Sequence, residues 1–262
     1  MVARSRSART GARPNGRHLL RSRTLATEIV LGAGIGPDDH VVEIGAGTGR
    51  LTEVLALHAG RVTAIELDHS FAEALRRRFN DRVTVDVLEA DALRASLPSA
   101  PFRAFGNVPF GITTPILRRM LDAPGTQVQA CDVLVQFESA RKRAQVWPST
   151  ALSIGWLPWW ELTLVRRISR EAFEPPPAVD AGLLSVRRRS PPLLALRDRM
   201  PFVALVGRAF ERGSWPVRRS LRDVLSPPTW KRLARDRGLP VDAPARDLSV
   251  FDWVAVFRAV HR

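Results

Sequence analysis

Cysteine, tyrosine and lysine are nearly missing from the 262-residue sequence, which has one Cys, no Tyr, and Lys only at positions 142 and 231. Because Cys131 is the single cysteine, an internal disulfide is excluded and a reducing cytoplasm is the expected compartment. The five His residues lack metal-motif spacing, so we expect no metal. No apolar run reaches the roughly 20 residues that cross a bilayer. The basic N-terminus lacks the apolar segment of a secretory signal, so no membrane partner is expected either.

Acidic residues are also scarce, since 26 Asp and Glu stand against 40 Lys and Arg and give a formal net charge of +14. A protein that docks on phosphates gains affinity by releasing counterions, whereas an enzyme of small neutral metabolites has no use for such a charge. Genomic composition explains Arg in place of Lys, but not the excess of basic residues. We therefore expect a polyanionic partner and interpret as phosphate contacts the Arg clusters at 4–17, 141–143, 187–189 and 208–222 (Arg208, Arg212, Arg218, Arg219 and Arg222).

The apolar segments alternate between strand-like and helix-like patterns from His40 onward. Strands are predicted at 40–44, 61–66, 82–88, 102–107 and 131–137, and helices at 24–33, 48–59, 71–79 and 112–121. This alternation is typical of a parallel, Rossmann-like α/β sheet covered on both faces. Two successive strands, 161–169 and 181–189, predict an antiparallel hairpin at the sheet edge. The sequence thus predicts a flexible basic tail at 1–16, a catalytic domain at 17–190, and a small all-helical RNA-binding domain at 191–262.

A glycine-rich turn, Glu43 to Gly49 (EIGAGTG), ends the first predicted strand and opens a helix. Glycines let a backbone approach a ligand closely, and the helix N-terminus adds a positive dipole end. The GxGxG spacing differs from the GxGxxG of dinucleotide sites and favours a nucleoside cofactor without a pyrophosphate. A tight strand-to-helix turn without a ligand is the structural alternative.

Two acids follow at later strand ends. Glu66 ends the second strand, about 20 residues past the glycines, where a carboxylate can accept both ribose hydroxyls in NAD enzymes and methyltransferases alike. Asp91 follows the third strand, where it can accept a hydrogen bond from an adenine amino group. The alternative for Asp91 is the N-cap of a short turn.

Asn107-Val108-Pro109-Phe110 ends the fourth strand and indicates the reaction. An exocyclic amine is a poor nucleophile because its lone pair is delocalised into the ring. Two acceptors, the Asn107 side-chain oxygen and the Val108 carbonyl, can turn that lone pair toward a methyl donor. Pro109 stiffens the turn and removes a competing donor, and Phe110 can stack on an extruded base. No general base is apparent, so catalysis would rest on positioning and electrostatics.

These motifs and their order resemble the rRNA adenine N6-methyltransferases, the family of the erythromycin-resistance (Erm) methylases and of the small-subunit dimethyladenosine transferases. The resemblance runs from about His18 to Arg189. It implies a class I methyltransferase sheet with S-adenosyl-L-methionine as cofactor. The cofactor residues it implies are His18, Leu20, Glu43, Gly45, Ala46, Gly47, Glu66, Asp91, Ala92 and Asn107. The catalytic residues it implies are Asn107, Pro109, Phe110 and Phe173.

Segments 136–143 (QFESARKR) and 157–162 (LPWWEL) resemble the Erm branch. That branch implies methylation of one adenine in the peptidyl-transferase region of nascent or protein-poor 23S rRNA by a monomer. Resistance to macrolides, lincosamides and streptogramin B would follow. The alternatives are a small-subunit rRNA adenine dimethyltransferase, a NAD-dependent dehydrogenase, and a non-catalytic RNA-binding protein with a methylase fold.

The sequence departs from the family pattern at two places. Arg17-His18-Leu19 stands where the family usually has Gln-Asn-Phe, and Phe110 stands where Tyr is commoner. The number of methyl groups transferred is left open. The tryptophans Trp147, Trp156, Trp159 and Trp160 are expected to pack in the core and not to stack on bases.

Overall fold

A central seven-stranded sheet organises the protein, and its strands alternate with helices along the chain. The computed structural model describes residues 18–122, 127–145, 150–211 and 213–261. The predicted tail at 1–16, Arg17, Trp147 and Arg212 lie outside these ranges. The strands are β1 Leu19–Leu20, β2 His40–Ile44, β3 Arg61–Glu66, β4 Val85–Glu89, β5 Phe102–Asn107, β6 Val128–Gln136, β7 Trp160–Ile168, β8 Phe173–Glu174 and β9 Ala181–Arg188.

The helices that follow the early strands lie close to the predicted positions. Their bounds are α1 Arg23–Gly32, α2 Arg50–His58, α3 His69–Arg78, α4 Thr113–Leu121, α5 Phe137–Arg143 and α6 Ala151–Trp156. The C-terminal part adds α7 Arg199–Phe210, α8 Val217–Ser220, α9 Pro227–Arg237 and α10 Val250–Val260. No helix within the described ranges is long and apolar enough to cross a membrane. The predicted α/β class with a helical C-terminal part is confirmed.

The strand order is β4-β3-β2-β5-β6-β9-β7. In this order the neighbours from β4 to β6 pair in parallel, whereas β9 pairs antiparallel with both β6 and β7. The predicted antiparallel pair is therefore present, with β9 inside the sheet and β7 at its edge. A separate ladder joins β1 to β8, with Leu20 opposite Phe173. Two-residue strands are too short for a periodic signal, so the sequence did not predict this ladder.

The predicted third strand starts later than expected, at Val85 and not at residue 82. A turn accounts for the delay, because Arg82 N–H donates to the Phe79 carbonyl and Val85 N–H donates to the Arg82 carbonyl. Pairing with β3 begins only at Val62 and Val85. Along the central strands, successive side chains enter different cores: Val41 packs under α1 and α2, whereas Val42 packs on the α4 side. Both faces are buried, as parallel sheets require.

The C-terminal helices share one continuous hydrophobic cluster with the sheet. Trp156 and Trp159 belong to this cluster together with Phe202 of α7, Trp230 of α9 and Trp253 of α10. The rings of Trp159 and Phe202 meet edge to face at 5.8 Å. The tryptophan prediction is confirmed for Trp156, Trp159 and Trp160, which are all buried. A domain boundary near residue 190 stays a prediction, since the core runs across it.

A buried guanidinium joins α7 to the end of α4. Arg199 is only 6% exposed and donates to the Leu121 carbonyl at 2.7 Å and to Asp122 Oδ1 at 2.9 Å. The Trp156 indole N–H donates to the same carboxylate oxygen at 2.5 Å. Burial lowers the pKa of Arg199, and the Asp122 charge opposes that shift. The network therefore fixes the first turn of α7 against the ends of α4 and α6.

Replacing Arg199 by alanine tests this joint. We expect Arg199→Ala to lower the free energy of unfolding by about 2–3 kcal/mol, below the range for a fully buried pair because the Asp122 side chain is partly exposed. Urea unfolding measures the change. Arg197→Ala is the matched control because Arg197 is exposed and has no recorded partner within the described ranges. Equal, small losses in both variants would contradict a structural role for the network.

Candidate functional site

A pocket of about 230 Å³ opens at the carboxyl ends of β2, β3, β4 and β5. Ligands of open α/β sheets bind at this edge. Ten of the residues singled out from the sequence line it: His18, Gly45, Gly47, Glu66, Asp91, Ala92, Asn107, Val108, Pro109 and Phe110. The pocket also includes residues that sequence reasoning did not assign to the site: Leu19, Ile44, Ile65, Leu67, Ala90 and Ile112. Most of the missed residues are apolar neighbours of the predicted ones, so adjacency in sequence was the available signal.

The glycine turn takes left-handed backbone angles at Gly45, Gly47 and Gly49, with φ of 73°, 54° and 76°. A Cβ on Gly47 would lie 2.8 Å from Leu19 Cδ2, so the N-terminal segment covers this turn directly. Side chains are disfavoured here both by backbone angle and by space. The turn therefore needs its glycines for the shape of the pocket wall as well as for ligand approach.

Glu66 anchors the turn from the end of β3. Its Oε2 accepts from Gly47 N–H and its Oε1 accepts from Asp68 N–H, both at 2.8 Å. The residue is 5% exposed and lines the pocket beside Leu67, which is 64% exposed. The two backbone donors fix the orientation of the Glu66 carboxylate at the pocket wall.

Asp91 starts a short turn, as one of its two alternatives predicted, and its contact with an adenine amino group stays a prediction. Its Oδ1 accepts from Leu93 N–H at 2.9 Å, and its carbonyl accepts from Arg94 and Ala95 N–H, so it starts a short turn. It also lines the pocket with Ala90 and Ala92. One carboxylate oxygen stabilises the turn, and the other lies 3.8 Å from the exposed Arg94 guanidinium.

Asn107 reaches the pocket because Gly106 lets β5 approach β2 closely. A Cβ on Gly106 would lie 2.5 Å from the Ile44 carbonyl oxygen. The Asn107 Nδ2 donates to the His18 carbonyl at 2.5 Å. Its Oδ1 has no recorded partner among the residues that the structure describes. The sequence showed Asn107 but gave no sign of this bond, which spans 89 residues.

The chain after Asn107 leaves one carbonyl free beside that amide. Val108 N–H donates to the Leu134 carbonyl at 3.2 Å, and Ile112 N–H donates to the Pro109 carbonyl at 3.0 Å. Within the described ranges no donor is recorded for the Val108 carbonyl itself. The half-buried Phe110 ring lies 5.9 Å from the His18 ring, tilted by 41°. Two acceptors thus stand next to an aromatic surface.

Glu43 lies behind the glycine turn and not on the pocket wall. Its Oε2 accepts from the Thr52 hydroxyl of α2 at 2.6 Å, and its buried Oε1 has no hydrogen-bond partner among the described residues. Burial raises its pKa to about 8; the Thr52 hydrogen bond opposes this shift, and the Glu66 charge adds to it. Glu43 therefore carries a proton at neutral pH.

Three other predicted residues lie beneath the pocket surface. Leu20 and Phe173 face each other in the β1–β8 ladder and are buried in the core cluster under α1 and α2. Ala46 packs with Ala64 and Leu75. The contact of Phe173 with a target base stays a prediction, since its side chain is fully buried here.

The lining is rich in acceptors and poor in cations. Among the residues that the structure describes, neither Arg nor Lys lines the pocket. No group of three or more His, Cys, Asp or Glu side chains able to hold a metal occurs there or elsewhere in the described ranges. Such a lining suits a ligand that carries hydroxyl and amine donors.

Known proteins are similar to this chain in both sequence and fold. The family described as ribosomal RNA adenine dimethylase matches residues 10–261. An rRNA adenine N-6-methyltransferase of Bacillus licheniformis is 29% identical over 98% of this chain and 90% of its own length. The mycinamicin-resistance protein MyrB of Micromonospora griseorubida is 36% identical over 93% of this chain and 77% of its own length.

Among solved structures, the 23S rRNA methyltransferase ErmE is similar to this chain with a TM-score of 0.85 and 29% identity. The similarity covers 93% of this chain and 100% of that one. A family match over nearly the whole chain, with a relative at 36% identity, establishes membership. This chain is an enzyme of the ribosomal RNA adenine dimethylase family.

Proposed function

We propose that the chain transfers methyl groups from S-adenosyl-L-methionine to N6 of one adenine in 23S rRNA and thereby confers resistance to macrolides, lincosamides and streptogramin B. The observation that carries the proposal is a pair of acceptors, Asn107 Oδ1 and the Val108 carbonyl, which have no partner among the described residues and belong to an acceptor-rich pocket. The names of MyrB and ErmE favour the large-subunit, resistance branch.

The pocket fits an adenosyl cofactor in its donor and acceptor pattern. Glu66 would accept from the ribose hydroxyls, and Asp91 from the adenine amino group. Ile65 and the exposed Leu67 offer apolar surface to the adenine ring, and the glycine turn leaves room beside Gly45 for the methionine end. When bound, the cofactor supplies an electrophilic methyl carbon on a sulfonium.

The chain's own contribution is to hold the target amine. Asn107 Oδ1 and the Val108 carbonyl accept the two N6 hydrogens, which turns the nitrogen lone pair out of the ring plane. Pro109 has no N–H to compete for the same carbonyls. Phe110 stacks on the extruded base, a contact worth about 1–3 kcal/mol. No side chain of the lining needs to remove the proton, because it can leave to water after the bond forms.

The RNA would be held by exposed basic side chains, but fewer of them are free than the sequence suggested. Arg187 pairs with Asp132, and Arg188 donates to the Val128 carbonyl, so both side chains join β9 to β6. Arg189 pairs with Glu161 of β7. Lys142 and Arg222 are exposed and have no recorded partner within the described ranges. We propose that such side chains of α5 and of the C-terminal helices contact phosphates, with the protein acting as a cytoplasmic monomer on protein-poor rRNA.

Glu43 serves the site from behind as a neutral acid. Its hydrogen bond with Thr52 ties β2 to α2 on either side of the glycine turn. A second ionised carboxylate next to Glu66 would repel it, and protonation removes that cost. Glu43 therefore supports the cofactor site by bracing the turn.

Mass spectrometry of rRNA treated with the purified protein tests the proposed function. We expect methyl groups on N6 of one adenine of protein-free 23S rRNA when S-adenosyl-L-methionine is supplied. The same spectrum counts the methyl groups. Modification of small-subunit rRNA alone would favour the dimethyladenosine transferase alternative, and RNA binding without turnover would favour a non-catalytic role.

Asn107→Ala should reduce the methyl-transfer rate by a factor of about 100 or more, because positioned electrostatic contacts to a reacting group contribute on this scale. Cofactor affinity, measured by calorimetry, should change far less. Asn80→Ala is the matched control, since Asn80 is exposed at the end of α3. Equal losses of rate and cofactor affinity would contradict the role of the amide.

Glu43→Gln tests the protonation state of Glu43. The native state keeps the Glu43 proton up to about pH 8, whereas the unfolded chain loses it near the ordinary glutamate pKa of 4.5. The contribution of the Glu43 proton to the free energy of unfolding is therefore fully present below pH 4.5. It falls as the pH rises toward 8, by at most about 1.4 kcal/mol per pH unit. Because glutamine does not titrate, the variant should gain stability relative to the wild type between pH 5 and 8. Urea unfolding at several pH values measures the difference, and a pH-independent difference would refute a buried neutral acid.

A further inference from the structure

The first described residues form a strap across the pocket mouth, which we call the N-terminal strap (His18–Arg21). Leu19 covers the glycine turn at Gly47, and Leu20 pairs with Phe173 of β8. Arg21 N–H donates to the Ala172 carbonyl at 2.9 Å. The N-terminal strap is therefore bonded to β8 and to the segment before it, and Leu19 lies against the glycine turn of the pocket.

His18 connects this strap to two other walls. Its Nδ1 lies 2.8 Å from the Pro175 carbonyl oxygen, in the segment after β8. Because a carbonyl can only accept, Nδ1 carries the hydrogen in this bond. Its own carbonyl accepts from Asn107 Nδ2 at 2.5 Å, and its ring faces Phe110. One residue thus contacts two of the predicted catalytic side chains in the turn after β5, Asn107 and Phe110.

We infer that His18 is a positioning residue: its imidazole is tied to Pro175, which holds its carbonyl where it fixes the orientation of the Asn107 amide. This inference rests on the proposed function of Asn107. With Nδ2 committed to the His18 carbonyl, Oδ1 is the amide atom presented to the target amine. The reverse orientation would set two N–H donors against the donors of the adenine amino group.

The orientation matters because the two ends of an asparagine amide have nearly the same shape. Packing alone hardly distinguishes them, so a fixed acceptor on one side must do so. The His18 carbonyl is that acceptor. Pairing with β8 and the burial of Leu20 hold the later part of the strap, whereas the imidazole tie holds its His18 end. Loss of the tie would let the His18 end move and would release Asn107 Nδ2.

His18→Ala tests the tie. We expect the single-turnover methylation rate to fall about tenfold, which corresponds to about 1.4 kcal/mol. Cofactor affinity should fall by less than the rate, since His18 also lines the proposed cofactor pocket, and RNA affinity should stay within about twofold of the wild type. His58→Ala, at the end of α2 and outside the pocket lining, is the control for removal of an imidazole.

His18→Asn is the conservative variant. An asparagine Nδ2 occupies nearly the same position as a histidine Nδ1 and can donate to the Pro175 carbonyl. The rate should recover to within about threefold of the wild type, because the hydrogen bond is kept and only the ring contact with Phe110 is lost. A rate as low as that of His18→Ala would contradict the importance of the tie.

A double-mutant cycle separates this role from a general loss of structure. If His18 acts through the Asn107 amide, then His18→Ala should add nothing to the defect of Asn107→Ala. Independent, multiplicative losses would overturn the inference. So would an unchanged rate in His18→Ala, or a loss of cofactor affinity in proportion to the rate.

The side-chain amide of Asn107 gives a readout that needs no turnover. In a nitrogen-15 spectrum of the wild type, its Nδ2 protons should exchange slowly with solvent, and in His18→Ala they should exchange at least about tenfold faster, as expected when a bond donor is released to water. Equal exchange would refute the inference even in an inactive protein. Absence of methylation by the wild type would instead contradict the proposed function.

Discussion

At Gly106 the backbone of β5 approaches β2 so closely that a Cβ there would lie 2.5 Å from the Ile44 carbonyl oxygen. This close approach brings the end of β5 against the end of β2, where the glycine turn begins. The acceptors after Gly106 and the glycine turn after Ile44 therefore line one small pocket. The spacing between these two walls of the pocket depends on the contact between the two backbones.

Local chemistry made part of this arrangement predictable from the sequence. Strand-to-helix alternation revealed the parallel sheet, and the carboxyl ends of parallel strands meet at one edge, so Gly45, Glu66, Asp91 and Asn107 had to converge. The C-terminal helices and the antiparallel pair β7–β9 also followed from periodicity and order. These features depend on residues close together in sequence or on rules that hold for all open α/β sheets.

Contacts between distant residues were not predictable in the same way. Three contacts join segments that no periodic pattern relates: the Asn107–His18 hydrogen bond, the β1–β8 ladder and the Arg187–Asp132 ion pair. The burial of Phe173 opposite Leu20 shows the same limit, because its motif gave no sign of this ladder. The sequence predicted which side chains carry the chemistry, whereas the fold decides which of their atoms remain available.

Among the described residues, the tryptophan-rich cluster runs without a break from the sheet into the C-terminal helices. Separating the two parts would bring several large rings into water, at about 1.5–3 kcal/mol for each apolar side chain exposed. The sheet and these helices therefore move as one packed body. Under the proposed function, adaptation during docking would fall to the RNA and not to the joint between these two parts.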